Sequence, residues 1–299
     1  MAFSEAYRKQ VALVMRVLPF IAEEDCFALK GGTAINFFIR NMPRLSVDID
    51  LTYLPVAPRP ESLAAIDAAL KRIEGRIKEG IAGCHISESK TEGTVTKISV
   101  RTQVQTKIEV TPVIRGCVYE AEKRGVSAAV EDAFGFAEIQ VVSLPDLYGG
   151  KIVAALDRQH PRDLFDVRDL LANEGISDDL RVAFVVYLLS HNRPMGEVLG
   201  SGQKDISVEY ERGFRGMTAQ DVRLADLLAA RDALVARVIG GMPEAHRRFL
   251  VSFERGEPDW DLLGVPGAAD LPAVRYRQLN LDKISRRSGR RSWRYSKRS

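Results

Sequence analysis

The sequence predicts a mixed α/β (α+β) fold in its first half and a helical bundle in its second. Two observations predict it. Several short runs before residue 143 alternate apolar and polar residues with a period of two, as half-buried strands do. From Leu144 onward the apolar residues recur instead at helical spacing. At 299 residues the chain is also long enough for two domains with sizeable cores. The expected division is 1–143, 144–270 and a basic tail over 271–299.

Each element has its own signal. Ser4 is placed to cap a helix reaching about Ala22. FALK (Phe27–Lys30) reads as a short buried strand, ended by Gly31-Gly32, and Thr33 to Arg40 as the helix that follows. VDIDL (Val47–Leu51) alternates cleanly and predicts a strand. Pro60 opens a helix to about Lys78, with proline in its first turn. Strands follow at about Cys84–Ser89, Thr94–Thr102 and Gln105–Ile114, and another at Phe136–Val142. LPDLYGGKIVAALDR is helical in pattern although Gly149-Gly150 weaken it. Pro161 starts a further helix closed by Gly175. About Asp179–Ser190, Thr218–Val238 and Pro243–Arg255 complete the helical half.

Composition excludes several function classes. The chain is 45% hydrophobic and 28% charged, ordinary for a globular protein. No apolar run approaches the ~18–20 residues of a membrane span. The N-terminal stretch is amphipathic and broken by Glu5, Arg8, Lys9 and Arg16, unlike a signal or transit peptide. Cys26, Cys84 and Cys117 are odd in number and far apart, which argues against a disulfide framework. His85, His160, His191 and His246 are too scattered for a Cys/His zinc site. A cytoplasmic location is the expectation.

The net charge of +3 hides an asymmetry. Eight of the 43 bases and no acid lie between Lys283 and Ser299, so 35 bases face 40 acids elsewhere. With Trp293 and Tyr295 interleaved, such a tail can bind nucleic acid through phosphates and base stacking. It equally fits a flexible, solubilising end, which is the expectation beyond Lys283.

Asp48 and Asp50 carry the chemistry. Residues two apart on a strand share a face, so the two carboxylates converge. Their repulsion is relieved by cations. A pair of Mg²⁺ ions, which combine carboxylates with phosphate oxygens and water, does this naturally and can clamp both oxygens of a phosphoryl displacement. Alone, such a pair is common and reads more often as two solvent-facing carboxylates, with Val47, Ile49 and Leu51 packed beneath. Upstream, Lys30-Gly31-Gly32-Thr33 forms a glycine turn into a helix, a potential phosphate site with a hydroxyl donor. Downstream, Glu109 in the strand Lys107–Val110 offers a third carboxylate, to complete the metal site or accept a proton. On the helix from Pro161, Asp163 and Asp166 share a face. Arg162 and Asp166, four apart, also fit a plain surface salt bridge.

The run LKGGTAINFFIRNMPRLSVDIDL resembles the AbiEii/AbiGii toxin family, within the DNA polymerase beta-like nucleotidyltransferase superfamily. KIEV (Lys107–Val110) and GGKIVAALDRQHPRDLFDVRDLL (Gly149–Leu171) continue the resemblance, which extends from about Ala28 to Leu171. It implies a nucleotidyltransferase fold with a C-terminal helical domain and the site in the cleft between them. It also implies transfer of a nucleoside monophosphate from an NTP to an acceptor hydroxyl. The catalytic set implied is Asp48, Asp50, Glu109, Lys151 and Asp166, with Asp48, Asp50 and Glu109 holding two Mg²⁺ ions. Lys30, Gly31, Gly32, Thr33, Arg44, Ser46, Lys151, Arg162 and Asp163 would bind the nucleotide. The superfamily commonly has Asp where this chain has Glu109. The implied setting is a type IV-like toxin–antitoxin or abortive-infection system, with tRNA 3′ ends as acceptor. A separately encoded antitoxin is implied as partner, and no stable complex with it is predicted. The alternatives are a transferase acting on a small molecule or protein, and a catalytically silent RNA-binding protein.

Overall fold

The N-terminal helical periodicity forms α1 (Glu5–Ala22), which buries Val11, Val14, Leu18 and Ile21 along one stripe. The structure is a computed structural model that describes residues 3–295. After α1 come β1 (Phe27–Lys30) and α2 (Gly31–Ala34), which widens into a π-helical turn over Ile35–Ile39. β2 (Asp48–Tyr53), α3 (Arg59–Gly80), β3 (His85–Thr91), β4 (Thr94–Arg101) and β5 (Gln105–Arg115) follow. β6 (Glu122–Gly125), α4 (Ala128–Phe134) and β7 (Glu138–Val141) complete the mixed half. Neither β6 nor α4 was predicted. β6 reads EKRG, and a charged edge strand carries no apolar alternation to detect.

The strands make one seven-stranded sheet in the order β3-β4-β5-β2-β1-β7-β6. β2 runs antiparallel to β1 and parallel to β5, so the strand bearing Asp48 and Asp50 is interior. Alternation then sends Ile49 and Leu51 into the core and leaves the two aspartates on the opposite face. The core face lies against α1 and α3, whose Ile66, Leu70, Ile73 and Ile77 are fully buried.

The helical half comprises α5 (Leu144–Asp157), α6 (Pro161–Asn173), α7 (Asp178–Leu189), α8 (Met195–Leu199), α9 (Ser207–Gly213), α10 (Leu224–Val235) and α11 (Glu244–Glu254). The Gly149-Gly150 pair that weakens α5 as a helix has a packing role. A Cβ at Gly149 would lie 3.0 Å from the backbone of Ala183 and Phe184, so glycine lets α5 and α7 approach closely.

The helix predicted over Thr218–Val238 begins only at Leu224. Thr218 instead forms a β-bridge with Arg44, flanked by Leu45 N–H donating to the Met217 carbonyl and Ala219 N–H to that of Pro43. Tertiary pairing claims this backbone, and the first turn is fixed by the Arg223 backbone N–H and guanidinium, which both donate to the Asp226 carboxylate. A last helix, α12 (Pro272–Tyr295), occupies a stretch where no element was predicted, and Leu271, Ala273 and Val274 at its start are buried. The side chains of the basic cluster beyond Lys283, Trp293 and Tyr295 included, lie outside the described residues.

Candidate active site

Register places the site. Lys30, Asp50, Glu109 and Lys97 occupy one lateral row across β1, β2, β5 and β4. Asp48 lies in the next row, beside Lys107. Residues paired this way share a face, so an acidic centre sits between flanking lysines. Burial pushes the Asp50 carboxyl above its ordinary range; Asp48 and Glu109 push it further, against Lys30 and Lys151. Lys97 Nζ is 2.9 Å from Glu109 Oε2, so the third carboxylate is ion-paired. Burial pulls the Lys30 ammonium down despite Asp50 nearby, and its Nζ donates to Thr111 Oγ1 at 3.1 Å.

The glycine turn keeps this row and the next loop in place. Gly31 has φ +74°, and a Cβ there would come within 2.6 Å of Asp50 Oδ2. A Cβ on Gly32 would meet Arg44 Nη2 at 2.6 Å and Ser46 Oγ at 3.0 Å. The Thr33 hydroxyl is buried and donates to the Asp48 carbonyl, with Ser46 Oγ 3.0 Å away.

Opposite the sheet lies a buried ion network. Arg44 holds Asp166 in a two-pronged pair, Nε to Oδ1 at 2.7 Å and Nη2 to Oδ2 at 2.6 Å. Lys151 Nζ lies 2.8 Å from Asp163 and 3.1 Å from Asp166. Arg158 adds Nε to Asp163 Oδ2 at 2.6 Å, and Asn36 Nδ2 reaches Asp166 Oδ1 at 3.0 Å. Burial alone would raise both carboxyls. Lys151 and Arg158 outweigh it at Asp163, holding it well below the usual range, and Arg44 and Lys151 outweigh it at Asp166, which is also lowered. The plain surface pair that the spacing of Arg162 and Asp166 also allows does not form; Asp166 spends its oxygens on Arg44, Lys151 and Asn36.

Between the two walls is an open cleft of about 200 Å³. It is lined by Gly32, Arg44, Ser46, Asp48, Asp50, Glu109, Lys151, Arg162 and Asp163, all singled out in the sequence. Lys30, Gly31, Thr33 and Asp166, singled out with them, are not among its lining residues. Three further cations line it: Lys97, Lys107 and Arg158. Their signals were present. Lys107 is two residues from Glu109 on one strand, and Arg158 is two helical turns from Lys151.

Among the described residues no three carboxyl, imidazole or thiol side chains form a ready metal cage. The donor set nonetheless fits a hard divalent cation. Asp48 and Asp50 supply two converging carboxylates in a polar cleft, and such ions complete their shell with water and phosphate oxygens. Among the described residues no helix is long and apolar enough to cross a membrane.

Comparison with known proteins follows the same line. No curated protein matches the chain by sequence. A solved structure, MenT4, a nucleotidyltransferase toxin from Mycobacterium tuberculosis H37Rv, superposes with a TM-score of 0.62 over 88% of this chain and 94% of its own. At 17% identity that likeness shows a shared fold. Residues 12–270 match the family described as nucleotidyl transferase AbiEii toxin, type IV TA system. With Asp48 and Asp50 on one sheet face, a cationic wall opposite and this match over most of its length, the chain belongs to the AbiEii family of nucleotidyltransferase toxins of type IV toxin–antitoxin systems.

Proposed function

We propose that this nucleotidyltransferase uses Mg²⁺ to transfer a nucleoside monophosphate from an NTP to the 3′-terminal hydroxyl of tRNA. The observation that carries the reading is the convergence of Asp48 and Asp50 in a cleft walled by cations that outnumber its acids. Two of them, Lys107 and Arg162, have no carboxylate partner among the described residues, which suits a polyanionic substrate.

In this reading the acceptor oxygen forms a bond to the α-phosphorus, and the bond to the bridging oxygen of the β-phosphate breaks, releasing pyrophosphate. Asp48 and Asp50 would hold the divalent ion, which when bound neutralises phosphate charge. Glu109, exposed at the cleft edge, takes the acceptor hydroxyl's proton, with Lys97 fixing its orientation. Lys151 and Arg162 neutralise the triphosphate, while the Ser46 hydroxyl and the Gly32 backbone lie at its phosphate end. Lys30, Gly31, Thr33, Arg44, Asp163 and Asp166 act by holding those groups in position. The cognate antitoxin that the family implies opposes this activity.

The test is incubation with Mg²⁺, total bacterial tRNA and each α-³²P-labelled NTP in turn, beside Asp48→Ala and Asp50→Ala proteins. Label entering tRNA with one NTP, and lost in the variants and in EDTA, is the expected result. An unlabelled tRNA lane with every NTP would overturn the tRNA assignment.

A further inference from the structure

A second groove lies away from the active cleft, between the loop after β2, the end of β5 and the first turns of α12. Val56, Val113, Tyr276 and Leu279 line it, and all four are among the large apolar side chains left exposed on the surface, at 53%, 45%, 64% and 55%. Apolar side chains gathered in one place on a soluble surface mark a binding site more often than scattered ones do. The groove encloses about 600 Å³, within the range of small-molecule sites.

Its polar group is unusual. Arg115 lines the groove, is 6% exposed, and has no carboxylate within salt-bridge distance among the described residues. Its Nε has no hydrogen-bond partner, and Nη1 reaches only the Pro112 carbonyl at 3.4 Å. Two other arginines on the groove are already matched, Arg59 by Glu92 at 2.8 Å and Arg275 by Asp270 at 2.6 Å. Burial pulls Arg115 below its ordinary range and Arg59 nearby adds repulsion. A buried charge without a counter-ion is costly, and an anion arriving from solvent removes that cost. Arginine in particular offers a fork that matches a carboxylate.

We propose that this groove is a second ligand site, taking a small amphipathic carboxylate whose head pairs with Arg115 and whose apolar body lies over Val56, Val113, Tyr276 and Leu279. The site is independent of the nucleotidyl-transfer cleft, since none of its lining residues is shared with that cleft.

Isothermal titration of the full-length protein with sodium decanoate below its micelle concentration tests this, with 1-decanol as the uncharged probe. The wild type should take up one decanoate per chain and bind it more tightly than decanol. Arg115→Met, which keeps the length and removes the charge, should lose at least about tenfold in decanoate affinity and leave decanol affinity unchanged. Leu279→Asp, at an exposed position where folding is not at stake, should weaken both probes. Decanoate failing to bind the wild type, or binding Arg115→Met or Leu279→Asp as well as the wild type, would overturn the proposal.

Discussion

Asp166 and Asp48 are both acidic, both singled out by the same sequence resemblance, and differ wholly in surroundings. Asp166 is 1% exposed and holds two cations, so Asp166→Asn leaves Arg44 and Lys151 buried with a partner lost. The expected cost is roughly 3–5 kcal/mol, read as a lower urea midpoint. Asp50 is the reverse case. Its carboxyl is raised in the folded state, so ionisation works against folding as pH rises past the ordinary carboxylate value. Asp50→Asn should therefore raise the thermal midpoint at pH 7 in EDTA, while cutting nucleotidyl transfer by more than about 100-fold. A variant that loses both stability and activity would refute this separation. His160 adds a pH signature. Burial, with Arg162 beside it, brings its imidazole down to about 4, and neutral Nδ1 accepts the Arg162 backbone N–H at the start of α6. A depressed histidine contributes stability above its unfolded value near 6.5, lost as pH falls toward 4. The wild-type urea midpoint should fall between pH 6.5 and 4.5, and less so in His160→Asn, which keeps a cap acceptor. At this scale the sequence revealed which residues gather, because strand and helix periods dictate shared faces. It did not reveal which carboxylates face solvent and which face arginine, since Arg44 and Asp166 are 122 positions apart and pair only through the fold.

Elements were legible where they carry apolar periodicity. β2, β4 and β5 alternate because one face is core, and α3 shows its stripe for the same reason. β6 lacks such a signal and the segment after Thr218 carries a misleading helical one, since an exposed edge strand and a bridge to a distant loop are set by partners, not by local pattern. Gly149 shows the opposite failure, a local defect with a tertiary purpose. Gly149→Ala would improve α5 in isolation, yet its methyl meets α7 backbone at 3.0 Å. The expected net effect is a loss of roughly 1–3 kcal/mol, measured by urea unfolding; a gain would show that α5 and α7 are free to separate. Gly31→Ala belongs to the same scale, since both its φ and the approach to Asp50 oppose a side chain. A loss of about 1–2 kcal/mol, with activity falling further than stability accounts for, is expected from paired unfolding and labelling assays.

Across the whole molecule, the sheet and the helical half meet through buried charge. Arg44 from the loop before β2 pairs with Asp166 on α6, and its backbone bridges Thr218. Contacts of this kind give neither half an independent way to bury its polar groups, so far-UV and near-UV circular dichroism should report one coincident urea transition. Two separated transitions would refute that coupling. The same wiring bears on how a cell can make a toxin safely. Synthesis runs from the N-terminus, and the stretch carrying Asp48, Asp50 and Glu109 leaves the ribosome first. The opposite wall, Lys151 to Asp163, arrives later, β7 beside β1 later than most of the sheet, and the Thr218 strap later still. A chain stalled before α5 thus carries half a cleft, with the carboxylate wall made and the cationic wall facing it still missing.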